Sequence, residues 1–112
     1  MREDICVSHP DLGGMGYHWV NFAFVDPNFD PLQPEAVLYA KKPNGELTLV
    51  ALEYVVIDVG QAHPEFAGHP FDIGGVPPLT DAGVDHWSLH VWLFERNAHG
   101  LHAPFNPSVS CP

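Results

Sequence analysis

Alternation of apolar and polar side chains marks four stretches of this chain as β-strands. They are residues 17–25 (YHWVNFAFV), 35–42 (EAVLYAKK), 46–58 (ELTLVALEYVVID) and 86–94 (HWSLHVWLF). All four are rich in the aromatic and β-branched residues that pack well on a pleated surface. The segment DPNFDPLQP (26–34) separates the first two with three prolines at turn or extended positions. Asn44-Gly45, between the second and third runs, is the strongest hairpin signal in the chain. Residues 9–16 (HPDLGGMG) read as a turn-rich lead-in. Residues 59–85 read as one long irregular loop, and residues 97–112 as a turn followed by at most one short strand. No stretch has a helical period with caps. The pattern predicts one all-β domain spanning residues 1–112. Its expected architecture is a small antiparallel β-barrel or sandwich with long Gly/Pro-rich loops.

The same alternation assigns side chains to faces. In 46–58 the odd positions are Leu47, Leu49, Ala51, Glu53, Val55 and Ile57, with Glu53 the only charge in the stripe. In 17–25 the even positions are His18, Val20, Phe22 and Phe24. In 86–94 the odd positions Trp87, Leu89, Val91 and Leu93 form an apolar face. The even positions His86, Ser88, His90, Trp92 and Phe94 form a mixed aromatic and polar one. A carboxylate on an apolar stripe must shift its pKa, find a partner or bind a metal. The chain holds only Arg2 and Arg96 as arginine partners. Glu53 is therefore on a solvent-facing part of its stripe, paired with one of these two arginines, or part of a site with His18 and a histidine of the last strand.

His86 and His90 share a face, but strand geometry separates their Cα atoms by ~13 Å. At most one of them belongs to a given ion, and His90, nearer the strand centre, is the better candidate. His86 is expected at the mouth. A two-residue Asn44-Gly45 turn would place Ala36 opposite Glu53 and turn Glu35 away from it. A three-residue loop with a bulge would reverse that parity. Glu35 is therefore a conditional member. His63 and His69 lie in the long loop, either as a lid or simply solvated. His9, His99 and His102 read as surface turn residues.

Composition narrows the partners. Four Lys+Arg against fourteen Asp+Glu give a net charge of −10. A nucleic-acid backbone and an anionic membrane surface would be repelled, and cations attracted. Eight histidines make the charge responsive to pH between about 5 and 7, because full protonation would take it from −10 to −2. There is no H-E-x-x-H, G-x-S-x-G or P-loop. The two cysteines, Cys6 and Cys111, form no C-x-x-C. They are either a bridge joining the two tails, which needs an oxidising compartment, or two free thiols. MREDICV has neither the basic nor the apolar region of a signal peptide. The expected location is extracellular or periplasmic if a leader was removed, and cytoplasmic if Met1 is the native start.

The segments MGYHWVN (15–21), DPLQPEAVLYA (30–40), LVALEYVV (49–56), LHVWLFERN (89–97) and NPSVSC (106–111), with Cys6 upstream, span nearly the whole chain. Together they resemble a family of small, often secreted bacterial proteins without an established activity. The resemblance implies that His18, Glu35, Glu53, His86, His90 and both cysteines stand at motif positions.

Two functions follow as expectations. The first is a metal-binding protein with His18, Glu53 and His90 as ligands and Glu35 or His86 as a further one. The ion would be divalent zinc, iron, manganese, nickel or copper, and an open coordination position would allow chemistry on a small molecule. The second is a metal-free small-molecule binder, or an isomerase, cyclase or lyase. There Glu53 would be the catalytic base, His90 or His18 its partner, and Trp19, Trp92 and Tyr54 an apolar wall. A disulfide-closed secreted interaction module is a third reading.

Overall fold

A computed structural model describes residues 2–112, and of residues 2–5 the backbone alone. The elements in chain order are β1 (Arg2–His9), β2 (Gly13–Val20), a 3-10 turn (Phe22–Phe24), β3 (Ala36–Lys41) and β4 (Leu47–Ile57). There follow β5 (Glu65–Phe66), β6 (His69–Pro70), β7 (Asp72–Ile73), α1 (Pro77–Asp81) and β8 (His86–Val91). Six of the strands form one antiparallel sheet in the order β1-β2-β3-β4-β8-β7, curled into a half-barrel. β5 and β6 pair only with each other. The all-β expectation holds.

The ends of β2 differ from the expected strand 17–25. The strand stops at Val20 because the Asn21 side chain accepts a hydrogen bond from Ala23 N–H and caps the 3-10 turn. Phe22 and Phe24 are consequently partly exposed rather than core residues. The strand also begins earlier, at Gly13. The glycines that read as a turn signal serve a close backbone approach instead. Gly14 and Asn106 exchange N–H···O bonds of 3.0 and 2.9 Å. A Cβ on Gly13 would sit 2.2 Å from the Asn106 carbonyl oxygen.

The hairpin between β3 and β4 reaches the anticipated register by an unanticipated route. Lys42 N–H donates to Glu46 O and Gly45 N–H to Lys42 O, so the loop is three residues long, 43–45. Near it, Tyr39 pairs with Leu49. Beyond it Leu38 pairs with Ala51, because Val50 is bulged out of the ladder. The two offsets cancel, and Ala36 lies opposite Glu53, the pairing expected of a two-residue turn.

The segment 59–85 is not one irregular loop. It supplies β5, β6, β7 and α1, and it helps cover both faces of the sheet. On one face Val76 and Leu79 pack with Val20, Ala36 and Val55. On the other Phe71, Phe66 and Phe29 pack with Tyr54, Val56, Trp87 and Leu89. Phe29 meets Tyr54, Phe66 and Phe71 edge to face, the arrangement favoured by ring quadrupoles. His63 Nε2 lies 2.7 Å from the Phe71 carbonyl oxygen and its ring beside Trp87, so it fastens this segment to the sheet. β4 and β8 are thus buried on both sides over much of their length.

The C-terminal segment folds back by polar ties. Trp92 Nε1–H donates to Ala103 O, Asn97 Nδ2–H to Phe105 O, and the fully buried Asn106 Nδ2–H to Arg96 O. Cys6 and Cys111 form a disulfide across a separation of 105 residues. In the chain-entropy description, closing a loop of that length stabilises the fold by roughly 4–5 kcal/mol. The double variant Cys6→Ser/Cys111→Ser is expected to unfold at clearly lower denaturant concentration than the oxidised protein. An unchanged midpoint would show that the bridge contributes nothing.

Candidate functional site

Three adjacent features of the sheet assemble the site. Glu53 sits in β4, directly opposite His90 of β8. His18 enters from β2, two strands away, next to Leu38 and diagonal to Ala36 of β3. Ala36 is opposite Glu53, and its methyl group leaves the space through which the two side chains meet. His18 Nε2 lies 3.1 Å from Glu53 Oε1, and His90 Nε2 lies 2.9 Å from Glu53 Oε2. All three residues are 0% exposed. An apolar group holding Leu38, Ala51 and Trp92 flanks them on one side, and the Val20–Val55–Val76 group flanks them on the other. The Trp92 ring stacks on His90 with centroids 6.0 Å apart.

Burial alone would push the Glu53 carboxyl up. The positive charge available on His90, and then on His18, outweighs it and holds the pKa down at about 2. The group is therefore a carboxylate between two imidazoles. Yet none of the four ring nitrogens and two carboxylate oxygens makes an aligned hydrogen bond. One ligand atom from each residue falls within a 4.8 Å cluster. Two donor atoms at ~2.0–2.1 Å from one ion, seen at 90–110°, are roughly 2.9–3.4 Å apart. Each Nε2 lies within that range of a different carboxylate oxygen, the His18 nitrogen of Oε1 and the His90 nitrogen of Oε2.

Glu35 and His86 are not brought into this group. Glu35 stands just before β3 and its Oε1 accepts Val55 N–H at 2.7 Å. The ladder between β3 and β4 ends at Ala36, and the carboxyl continues it by capping β4, as Asp26 O does for Ile57 N–H. Burial pushes the Glu35 carboxyl up to about 7, against the lowering effect of the Val55 bond and with smaller contributions from Asp26 and Asp30. His86 shares the face of His90, as the alternation predicts. Both its nitrogens are used: Nδ1–H donates to Val84 O, and Nε2 accepts from Val76 N–H. It secures the start of α1 and has no free lone pair for an ion.

The anticipated aromatic wall is also corrected. Only Trp92 borders the cluster. Trp19 is half exposed. Tyr54 faces the opposite side of the sheet, where its hydroxyl donates to Pro31 O.

Two residues near the site were not anticipated there. Asp72 of β7 pairs with Ser88 and faces the same side as His90. Its carboxyl is raised by burial, lowered by His90 and raised again by Glu53, so it feels the charges of the cluster. His102, read as a surface turn residue, is half-buried with Nδ1 2.9 Å from the His90 carbonyl oxygen. Neither carried a sequence signal. Asp72 lies in a two-residue strand too short to alternate, and His102 in a turn without periodicity.

Comparison with protein-family models, with curated proteins and with solved structures gave no match.

The Glu35 geometry gives a pH test. Its folded pKa lies above the unfolded value, so its stabilising contribution is full below about pH 4.5 and is lost as pH rises through about 7. Glu35→Gln keeps an acceptor for Val55 N–H and cannot ionise. The melting temperature of the variant is expected to gain on that of the parent by several degrees between pH 5 and 8. A constant difference across that range would contradict the placement of the carboxyl.

Proposed function

We propose that this protein binds a divalent transition metal through His18, Glu53 and His90. The observation that supports this reading is that one donor atom from each of three fully buried residues falls within 4.8 Å of the others, among side-chain nitrogens and oxygens that make no aligned hydrogen bond. Each buried polar group left unsatisfied costs about 1–3 kcal/mol. A cation bound by two imidazoles and a carboxylate satisfies both Nε2 atoms and the carboxylate at once. Zinc, iron, manganese, nickel and copper all accept this donor set.

Three protein ligands leave coordination positions open. A small molecule that reached such a position through an opening of the surrounding walls is the substrate or ligand class this reading assigns, and there an ion would polarise a carbonyl or lower the pKa of water. Glu53 would then lower the ion's net charge, and with His18 and His90 it would set the geometry. Metal-free acid–base catalysis is the weaker reading. A carboxylate whose pKa is held near 2 is a poor proton acceptor at neutral pH. The Cys6–Cys111 bridge supports an oxidising compartment, extracellular or periplasmic. No helix among the described residues is long and apolar enough to cross a membrane. The net charge of −10 supports partners other than nucleic acid and anionic membrane surfaces. Membership of the secreted bacterial family that the motifs resemble belongs to the same proposal.

Elemental analysis of untagged protein tests it, with expectation of one ion per chain. Free ion at a hundredfold excess over Kd stabilises by about 2.7 kcal/mol, so a strong chelator is expected to lower the melting temperature by roughly 10 °C. Glu53→Gln is expected to abolish both the retained ion and the chelator effect. Protein without stoichiometric metal, melting at the same temperature with and without chelator, would refute the reading.

A further inference from the structure

The buried cluster has no exposed atom, so an ion must reach it through another part of the molecule. A cleft of about 390 Å³ lies between β6–β7 and the loop 99–104. It is lined by His69, Asp72, His99 and His102. This cleft borders the cluster in two ways. Asp72, in its wall, pairs with Ser88 of β8 and so lies on the face of His90, two residues along that strand. His102, in its opposite wall, is tied to the backbone of His90.

The tie to His90 also fixes the chemistry of His102. A carbonyl oxygen only accepts, so Nδ1 of His102 must carry the proton. In the neutral ring Nε2 then holds the lone pair. An imidazole oriented by an Nδ1–H···O=C bond is the usual support of a metal-ligating histidine. The ring of His69 lies beside it, with centroids 4.5 Å apart and planes tilted by 52°. With His102 held by its Nδ1 bond, a turn of the exposed His69 ring would bring a nitrogen of each onto one borderline divalent cation such as zinc, nickel or copper. The remaining positions are open to water, which makes such a site weaker and faster to exchange than a three-ligand buried one. The acidic surface charge raises the local concentration of cations.

We propose that His69 and His102 form a second, exchangeable cation site, through which the ion is delivered to His18, Glu53 and His90. Binding in the cleft stands by itself; the delivery role rests on the function proposed above.

Zinc titrated calorimetrically into metal-free, untagged protein separates the two. The parent is expected to show a tight class and a weaker one. His102→Asn retains a donor for the His90 carbonyl and lacks the Nε2 lone pair. His69→Ala changes an exposed residue that has no role in the fold's core. Both variants are expected to lose the weaker class and keep the tight one, while Glu53→Gln does the reverse. In stopped-flow loading with limiting zinc, uptake into the tight class is expected to slow by roughly tenfold in the two histidine variants, at unchanged final stoichiometry. Two binding classes retained in both histidine variants would overturn the cleft site. Loss of the weaker class with an unchanged loading rate would overturn the delivery role. A parent with the weaker class alone would leave the cleft site standing, overturn delivery and refute the buried centre.

Discussion

The structure turns on one carboxylate held between two imidazoles in the middle of a sheet. Glu53 is fully buried, and among the described residues its neutralising partners are His18 and His90. Breaking a buried pair by removing one partner costs roughly 3–5 kcal/mol, because an uncompensated charge remains. Such a group constrains everything around it. The register of β4 against β8 must keep Glu53 opposite His90. The register of β3 against both neighbours must leave a methyl group, that of Ala36, where His18 passes. A slip of one residue in any of these pairs would turn a site residue to the other face. The bulge at Val50 is part of that constraint. It restores the pairing that a three-residue hairpin loop would otherwise shift.

The peripheral segments keep the centre dry. α1 and Val76 close one side of the site face, and Trp92 with the returning C-terminal segment closes the other. His86 and Glu35 belong to this supporting frame. One holds the start of α1 with both ring nitrogens, and the other covers an amide where β3 ends. Their positions beside the site explain why they resemble site residues in the sequence. Their hydrogen bonds show that they hold the walls. The low-dielectric surroundings they create strengthen every electrostatic interaction at Glu53.

Much of this was legible in the alternation of side chains. One charge in the stripe of β4, one histidine opening the stripe of β2 and one at the centre of β8 were enough to bring His18, Glu53 and His90 together as candidates. Strand spacing separated His86 from His90, and the structure keeps them apart in that way. What the alternation could not show has physical causes. Glycines 13 and 14 look like turn formers, and only the approach of Asn106 reveals why they are strand residues. Residues 59–85 lack a period because their strands are two residues long and their helix five. Their role is set by tertiary packing. Asp72 and His102 were hidden for the same reason, since each acquires its position from long-range pairing.

X-ray absorption on protein loaded with one equivalent of zinc tests the central claim most directly. The expected shell contains two imidazole nitrogens and a carboxylate oxygen at about 2.0–2.2 Å, and it is lost in Glu53→Gln. A shell of water oxygens, or a histidine shell unchanged by Glu53→Gln, would contradict a metal centre at His18, Glu53 and His90.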